Sequence, residues 1–499
     1  MKILIIFISI IKIIYVRRNK YKRFSLVCIL VMVDNVVYNH IYDKHILPLY
    51  TLEDYNHEIM YENTISHKYS IIEERVDMTH IECYSIDPPG CEDADDAFSV
   101  YKHENNLYLA IHIADPTEYI NIDTSLWKSI ERNTITRYPS NHKPFHMMPR
   151  EIMEKSSLMD NKYGNEKNAI SVVMEIDEET YKPKGELKLL FTKIKVKKEN
   201  ALAYNIACNK IDEIYALNIS LKISEALIKE RTRRTNSTIL NDVSISTIVY
   251  ENNIPILVNV SQNEKRMKQM IAEFAIIANS FIGNYLKTHL NETGIFRTCD
   301  ANTLLSKNET KNMTGDELLE EIITQGIQAD YSSQVASHDL VGSEEYTHFT
   351  SPIRRVSDCI CHYLLKYIFL SQHNKKLVSP FTLDELKLLS NKCISSSKKM
   401  KKIQYKDTKF RLIQSMNNML KETNKINITY YVTSYISDFL NIIINKIDNY
   451  NTYLSYSLRI PNYNNSHEPK KKYTIDITRV NCPKKFDVDS IPELDAQFN

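Results

Sequence analysis

Glycine and tryptophan are the residues that this chain has least of. Only 8 of its 499 residues are glycine and 1 is tryptophan, whereas 32 are tyrosine. A loop that binds dinucleotides or nucleotide phosphates needs several glycines close together, so this content disfavours that class of protein. The few glycines present are expected where the backbone tolerates no side chain.

An excess of charge of one sign is also missing. The chain has 63 Lys and Arg residues against 62 Asp and Glu, a formal net charge of +1. This balance excludes a protein that coats nucleic acid through its overall charge, so any nucleic-acid site must be local. With 43% hydrophobic and 25% charged residues, the composition is that of a globular protein. The length allows about two to four domains with sizeable cores.

The nine cysteines do not form the pattern of a zinc site. Cys359 and Cys361 are the closest pair, and no second pair follows at a suitable spacing. An odd number of scattered cysteines is typical of a reducing compartment, and we therefore expect a cytoplasmic protein.

The first 31 residues leave three interpretations open. Residues 1–16 are apolar around Lys12, and a basic run from Arg17 to Arg23 follows. A signal peptide has its charge before the apolar stretch, and a membrane helix needs about 20 apolar residues. The segment is a removed or foreign leader, a membrane-associated anchor or an ordinary buried segment, and Met32 is a plausible alternative start.

Beyond residue 80, the hydrophobic pattern predicts a mixture of strands and helices. Ala97–Tyr101 and Leu107–Ile113 are predicted to form a β-hairpin, and residues 170–176 and 189–196 are predicted to be further strands. Over Glu264–Leu290, apolar residues recur every three or four positions, which indicates one long helix.

Two more helices and a β-rich tail are predicted after residue 350. Ser351 as the N-cap and Pro352 in the first turn predict a helix that runs to about Leu370. Residues 381–421 favour another helix, which carries the lysine cluster 398–402. From Ile426 onward, alternating Tyr, Ile, Thr and Asn predict a separate small β domain.

Four aspartates lie within ten residues, just before the predicted hairpin. These are Asp87, Asp93, Asp95 and Asp96, and the turn expected at Pro88–Gly90 lets them converge. Carboxylates this close repel one another unless a cation compensates them, and oxygen ligands alone favour Mg²⁺ or Mn²⁺ over zinc. The alternative is a solvated acidic loop, but an apolar hairpin beside an uncompensated acidic cluster argues against it.

The segment Tyr346–Arg355 (YTHFTSPIRR) leads into the predicted helix. Arg354, Asp358 and His362 are spaced by four, which predicts that they share one helix face. The first turn of a helix attracts phosphate, and the guanidinium groups of Arg354 and Arg355 match phosphate in shape. Spacing alone leaves a phosphate site and a structural pair between one arginine and Asp358 equally open.

These motifs belong to an ordered series, from about residue 74 to 370, that resembles the RNB catalytic domain of the ribonuclease II and ribonuclease R exoribonucleases. The aspartate motif looks most like the version in the eukaryotic exosome's catalytic subunit. The matching stretches are IDPPGCEDADDA from Ile86, LAIHIADPTEYI from Leu109, FHMMPREIMEKSSL from Phe145, ALAY from Ala201, EFAIIAN from Glu273, and the block from His338 to Arg355. The resemblance implies an α+β fold, with a mixed sheet surrounded by helices.

The resemblance implies a processive 3′→5′ exoribonuclease that hydrolyses single-stranded RNA to nucleoside 5′-monophosphates with Mg²⁺ or Mn²⁺. By that match, Asp87, Asp93 and Asp96 hold the metal with Asp95, and Asp95 is the carboxylate most needed for the chemical step. Arg354 holds the scissile phosphate.

The resemblance also implies contacts with RNA at five residues. These are Tyr204 near the 3′ end, Tyr138 as the clamp on the last base, Arg355, His348 and Tyr346. At Tyr138 the match is shifted by one residue.

Some family features are missing from the sequence. Cold-shock-type barrels usually precede the catalytic domain, and no clear barrel pattern precedes residue 74. RNA binding is therefore expected to be weak or to depend on a protein partner that delivers RNA, and no membrane is required. Lysine replaces the glutamate of a family helix near Ser397–Lys402, which either adds positive charge near RNA or forms a solvated face.

Four segments follow from this comparison. They are the leader 1–31, a truncated or degenerate RNA-binding region 32–73, the RNB catalytic domain 74–421, and a small C-terminal domain 422–499. The C-terminal domain matches the position of an S1 domain, an OB-type barrel. Because it lacks the expected glycines, it is expected to be degenerate, and whether it is a true barrel stays open.

Two other functions remain as alternatives. An RNA-binding scaffold with the RNB fold and no catalysis would arise by loss of one aspartate, but all four aspartates and Arg354 are present. A Mg²⁺-dependent enzyme for a small phosphorylated substrate would explain the aspartates but not the ordered series of motifs.

Overall fold

The computed structural model describes residues 39–52, 67–235, 245–305, 313–372, 374, 376–436, 439–459, 467–480 and 493–495. The predicted leader and part of the region 32–73 lie outside these ranges. The described strands form two five-stranded sheets and three two-stranded ones.

The strands are numbered β1 to β16 along the chain. In chain order they are β1 Val76–Asp77, β2 Ser85–Asp87, β3 Asp96–His103, β4 Asn106–Ala114, β5 Glu166–Ile176, β6 Pro183–Lys195, β7 Ala201–Ala203, β8 Thr247–Glu251, β9 Ile254–Val258, β10 Thr293–Thr298, β11 Asp330–Gln334, β12 Ile426–Ile436, β13 Phe439–Ile447, β14 Tyr450–Arg459, β15 Lys472–Ile477 and β16 Glu493–Asp495.

The α-helices of the described residues lie mostly between the two large sheets in sequence. They are α1 Ser125–Asn133, α2 Arg150–Ser156, α3 Tyr204–Ala207, α4 Tyr215–Thr235, α5 Gln262–His289, α6 Asn302–Leu305, α7 Gly315–Gln325, α8 Val356–Ser371 and α9 Leu383–Thr423.

The first large sheet has the order β1-β6-β5-β4-β3. Strand β3 pairs with β4, β4 with β5 and β5 with β6, all antiparallel, and β1 pairs parallel with β6. The β3–β4 hairpin confirms the predicted one and closes through Glu104 and Asn105, both with positive φ. The predicted strands 170–176 and 189–196 are confirmed within the longer β5 and β6. Mostly apolar β4 and β5 form the centre of this sheet and of the main core.

Helix α5 confirms the long helix predicted over Glu264–Leu290. Its N-cap is Ser261, whose side chain accepts a hydrogen bond from Glu264 N at 3.1 Å. At Gly283 a Cβ atom would lie 2.9 Å from the backbone oxygen of Glu345. Glycine is therefore required there, because it lets α5 pack directly on the backbone that leads to α8.

The helix predicted from Ser351 begins five residues later, at Val356, so its predicted start is wrong. Ser351 N donates to Asp358 Oδ1 at 2.7 Å, and Arg355 is extended with φ −138°. Because the Asp358 carboxylate accepts a hydrogen bond from Ser351 N, residues 351–355 form a turn that precedes the helix and are not part of it. Arg354 lies in that turn, so the predicted shared face with Asp358 and His362 is also wrong.

The first N–H of α8 is not open to a phosphate. Val356 N donates to Thr134 O at 2.9 Å, and Thr136 N donates to Arg354 O at 3.0 Å. The turn before α8 is thereby tied to residues 134–136. The first N–H of α8 is therefore bonded within the protein, and Arg354 lies in the turn before the helix.

Helix α8 is almost fully buried and carries a buried charge. Lys366 Nζ lies 2.9 Å from Asp115 Oδ2 and 3.0 Å from Glu118 Oε2. Arg75 also pairs with both carboxylates. Buried charges are tolerated when they are paired in this way, so the network fixes α8 against the loop after β4.

Helix α9 leads to the C-terminal sheet. It begins with a capping box, in which Thr382 and Glu385 bond each other's backbone N–H. The sheet that follows has the order β15-β12-β13-β14-β16, with four antiparallel strands and a parallel β16. The strands predicted from Ile426 onward are confirmed as this C-terminal sheet. In the described residues β15 and β16 are the two edges, so the sheet is open there.

None of the helices in the described ranges is long and apolar enough to cross a membrane. The seven cysteines in those ranges are all free thiols.

Replacing Gly283 with alanine should destabilise the protein by about 1–3 kcal/mol, because the new methyl group overlaps backbone that cannot move without shifting α5. Urea unfolding of both proteins measures this difference. Asn284→Ala, at the exposed neighbouring position, is the control and should not lower the midpoint. An unchanged midpoint for Gly283→Ala would contradict the close packing described.

Candidate active site

The four aspartates are brought together by two strands and the turn between them. Asp87 ends β2 and Asp96 begins β3. Gly90 has φ +81°, in the left-handed region that side chains disfavour, and it reverses the chain between the two strands. The acidic segment therefore folds back on itself, as predicted from Pro88–Gly90.

The aspartates line one cavity of about 820 Å³. Tyr138, Tyr204 and Arg354 also line it. The position of Tyr204 follows from the pairing of β2 with β7, which places Asp87 opposite Ala203, the residue before Tyr204. The cavity thus combines carboxylates, one guanidinium group and two tyrosine rings.

Asp95 is buried and joins the acidic segment to the turn before α8. Its Oδ1 accepts a hydrogen bond from Ile353 N at 2.8 Å, and its Oδ2 accepts one from Arg354 Nε at 2.9 Å. Arg354 Nη2 donates to Ser351 Oγ at 2.9 Å. About 45% of the Arg354 side chain remains exposed, so the guanidinium group can still meet a ligand in the cavity.

Asp93 is held by an aromatic residue of the opposite wall. Tyr138 Oη donates to Asp93 Oδ2 at 2.6 Å. His146 Nδ1 lies 3.8 Å from the same oxygen, and burial lowers the pKa of His146. Cys91 Sγ lies 3.6 Å from Asp93 Oδ1. The proximity of Asp93 and Tyr138 could not be read from the sequence, in which they are 45 residues apart.

The pKa values of the remaining carboxylates are raised. Burial and the nearby Asp95 charge raise the pKa of Asp87 to about 6. Burial and the Asp87 charge raise the pKa of Asp96 to about 7. Burial also raises the pKa of Asp95 to about 7, although Arg354 opposes the shift. The cluster therefore holds more negative charge than its own surroundings compensate, as expected of a cation site.

Asp87 and Asp96 fit a divalent ion best. Protein donors already bind both oxygens of Asp95 and Oδ2 of Asp93, and Cys91 Sγ lies beside Asp93 Oδ1, whereas the strongest electrostatic effect on Asp96 is the charge of Asp87. An all-oxygen donor set suits Mg²⁺ or Mn²⁺. Over the described ranges, three or more His, Cys, Asp or Glu side chains do not converge closely enough to hold a metal. The chemistry of the donors thus fits such an ion.

Three of the five predicted RNA contacts lie away from the cavity lining. Tyr346 is buried, and its Oη accepts a hydrogen bond from Asn279 Nδ2 at 3.1 Å. His348 Nδ1 shares a hydrogen bond of 2.8 Å with Tyr331 Oη. Burial, followed by the charge of Arg355, holds the pKa of His348 well below its usual range.

Arg355, the residue before α8, is occupied by a contact with the first turn of that helix. Its Nη2 donates to Asp358 Oδ1 at 2.8 Å. Asn279 Oδ1 accepts from Phe349 N at 2.9 Å and so fixes the same segment from α5. These contacts hold the block 346–355 in shape, while Tyr138 and Tyr204 are the predicted contacts that face the cavity.

Sequence reasoning missed part of the site. Ile353 N and Ser351 Oγ orient Asp95 and Arg354, yet the sequence suggested only a helix cap at Ser351. Residues 141–144 form a wall of the cavity, and nothing in their composition indicates it. The lysine cluster is not part of the lining, and Lys398 pairs with Asp330 at 3.0 Å.

Comparison with known proteins agrees with this geometry. The family model described as "RNB domain" matches residues 75–371. Ribonuclease R of Chlamydia trachomatis is 27% identical over 342 residues, which cover 60% of this chain and 47% of that protein. Human "Exosome complex exonuclease RRP44" is 27% identical over 333 residues, which cover 58% of this chain and 34% of that protein. The chain thus spans about half the length of these relatives, or less.

Solved structures share the fold. Mycoplasma genitalium RNase R, in complex with ribose-methylated single-stranded RNA, matches with a TM-score of 0.68 at 16% identity, over 90% of this chain and 76% of that one. Yeast Ssd1, described as a pseudonuclease, matches with a TM-score of 0.61 at 17% identity, over 83% of this chain and 52% of that one.

The order of the motifs, the cavity in which the aspartates meet Arg354, and a family model that matches more than half of the chain lead to one assignment: this chain belongs to the RNB-domain exoribonuclease family.

Proposed function

We propose that the protein is a metal-dependent 3′→5′ exoribonuclease that hydrolyses single-stranded RNA processively to nucleoside 5′-monophosphates. The observation that carries this proposal is the single cavity shared by Asp87, Asp93, Asp95, Asp96 and Arg354. Family membership supports the reaction type, and all four acidic groups and the arginine are present.

The proposed chemistry needs no side-chain nucleophile. Divalent ions bound at Asp87 and Asp96, with Asp93, would supply positive charge at the phosphate and a water of lowered pKa. Asp95 is oriented by Ile353 N–H and Arg354 and would accept the proton of the attacking water. Arg354 would bind the scissile phosphate with its exposed part and stabilise the charge that develops on it.

The two tyrosines of the cavity fit the 3′ end of the RNA. Base stacking on aromatic rings tolerates any sequence, as a processive nuclease requires. The Tyr138 ring is fixed at the cavity wall because its hydroxyl group donates to Asp93. We assign it to the terminal base, and Tyr204 to the nucleotide beside it. A protein partner that delivers RNA is proposed in place of the N-terminal barrels.

An RNA-binding scaffold without catalysis is the second candidate. The likeness in fold to Ssd1, described as a pseudonuclease, favours it, as does the pairing of Asp95 with Arg354. A nuclease shortens RNA, whereas a scaffold only binds it, so an RNA hydrolysis assay on the purified chain distinguishes the two functions. The variants described next test the same distinction.

Replacing Asp95 with asparagine should lower the rate of RNA shortening by about two to four orders of magnitude, because the amide accepts the Ile353 N–H but cannot take a proton. Binding of RNA should stay within about threefold, since the side-chain volume is kept. Decay of 5′-labelled single-stranded RNA measures the rate, and fluorescence anisotropy measures binding. Asp212→Asn at an exposed position is the control. Shortening at the wild-type rate would refute the role of Asp95.

RNA decay should require Mg²⁺ or Mn²⁺ and stop in excess chelator. The pKa values of about 6 and 7 at Asp87 and Asp96 mean that protons compete with the ion below pH 7. The metal concentration needed for half-maximal rate should therefore fall as the pH rises from 6 to 8. Titration of Mg²⁺ at each pH measures it, and full turnover in excess chelator would exclude the metal role.

Replacing Arg354 with alanine should lower kcat/KM by about 100- to 1000-fold, because the charge on the phosphate loses its partner. Because Arg354 also pairs with buried Asp95, some loss of thermal stability is expected, and both proteins are compared at a temperature at which they are folded. Arg354→Lys keeps the charge but not the fork, so it should recover only part of the loss. Steady-state kinetics on short RNA measures both. An equally active alanine variant would leave Arg354 with a structural role alone.

A further inference from the structure

One wall of the cavity is a loop closed at its base. Arg137 and Phe145 exchange two backbone hydrogen bonds of 2.9 Å, and residues 137–145 between them form what we call the cavity loop. Tyr138 and residues 141–144 of this loop line the cavity. The loop therefore carries the ring that the proposed function assigns to the terminal base.

The cavity loop is held from behind by a buried carboxylate of α9. Ser140 N donates to Asp407 Oδ2 at 2.9 Å. Arg411, one turn further along α9, has its Nη2 3.5 Å from Ser140 O. Both backbone groups of Ser140 are thus fixed by α9, and Asp407 is only 1% exposed.

The same carboxylate also binds the N-terminal segment, residues 39–52. Tyr42 Oη and Tyr50 Oη donate to Asp407 Oδ2 at 3.2 and 2.9 Å. Arg137, at the base of the cavity loop, donates to the backbone oxygen of Tyr50 at 3.2 Å. The N-terminal segment, α9 and the cavity loop therefore meet at one oxygen atom.

The buried Asp407 carboxylate is compensated by hydrogen-bond donors and a cation. A buried carboxylate is stable only while donors or a cation compensate it. Asp407 has three hydrogen-bond donors and Arg411, whose Nε lies 3.7 Å from Oδ1. The Arg411 guanidinium group in turn lies 3.8 Å from the centre of the Tyr42 ring.

We propose that Asp407 is a positioning residue for RNA binding, which fixes the cavity loop and, through it, the Tyr138 ring against which the terminal base stacks. The N-terminal segment completes this support through Tyr42 and Tyr50. The inference rests on the proposed function for the identity of the ligand, and it extends the binding machinery to two elements outside the cavity.

The test uses the full chain with Asp407→Leu and Tyr50→Phe. Tyr50→Phe removes one oxygen atom and keeps the ring, so it remains informative if Asp407→Leu does not fold. Tyr456→Phe is the matched control, because its buried hydroxyl group bonds Lys409 O of the same helix at 3.3 Å and the residue does not line the cavity.

The substrates are 5′-labelled oligoadenylates with an ordinary or an abasic 3′-terminal nucleotide. Asp407→Leu should raise KM for the ordinary RNA about tenfold and Tyr50→Phe about two- to threefold, with kcat within about twofold. Neither variant should change KM for the abasic RNA, because no base is left to stack. Hydrogen–deuterium exchange in residues 137–145 should rise in both variants and stay unchanged in Tyr456→Phe.

A double-mutant cycle with Tyr138→Ala separates positioning from a general loss of stability. Once Tyr138 is removed, Asp407→Leu should have little further effect on KM. Additive effects, an equal loss on abasic RNA, or unchanged exchange in the cavity loop would overturn the inference while leaving the nuclease activity intact.

The role of Asp407 can be tested even if the nuclease proposal fails. If the wild-type chain binds RNA without shortening it, dissociation constants from fluorescence anisotropy replace KM. A base-dependent loss of affinity in the variants would then support the inference, although the nuclease proposal would have failed. Absence of RNA binding by the wild-type chain would overturn both.

Discussion

The bonds that Asp95 accepts from Ile353 N–H and Arg354 are the contact on which the site depends. They join the start of β3 to the turn before α8, across 258 residues of sequence. Without them the acidic segment and the arginine would belong to separate elements. Because the same carboxylate binds both the backbone and the guanidinium group, the distance between the acidic groups and Arg354 is fixed by the fold.

Asp115 differs from Asp87 and Asp96 in how its negative charge is compensated. Burial alone would raise the pKa of Asp115, but the charges of Lys366 and Arg75 hold this pKa well below its usual range. Asp115 is therefore ionised and paired with these two cations. Asp87 and Asp96 have raised pKa values because burial dominates, with the charge of Asp95 adding to the shift at Asp87 and the charge of Asp87 adding to it at Asp96. The first arrangement stabilises α8, whereas the second has the raised pKa values that are common at functional sites.

The support for the cavity extends beyond the matched domain at both ends. Asp407 lies in α9, after the last matched residue, and Tyr42 and Tyr50 precede the first one. These side chains bind each other across more than 350 residues of sequence, and Ser140 connects them to the cavity loop. A boundary drawn from motifs alone, such as residue 74, therefore separates parts that share one buried carboxylate.

The sequence alone determined what depends on local pattern. Alternation and helical spacing gave the β3–β4 hairpin, α5 and the C-terminal strands, and residue type placed four aspartates beside a turn at Gly90. Only the tertiary structure decided that α8 begins at Val356, that Arg354 pairs with Asp95, and that the cavity loop is a wall. These features arise from hydrogen bonds between distant segments, and such bonds outweigh a local preference for a cap at Ser351.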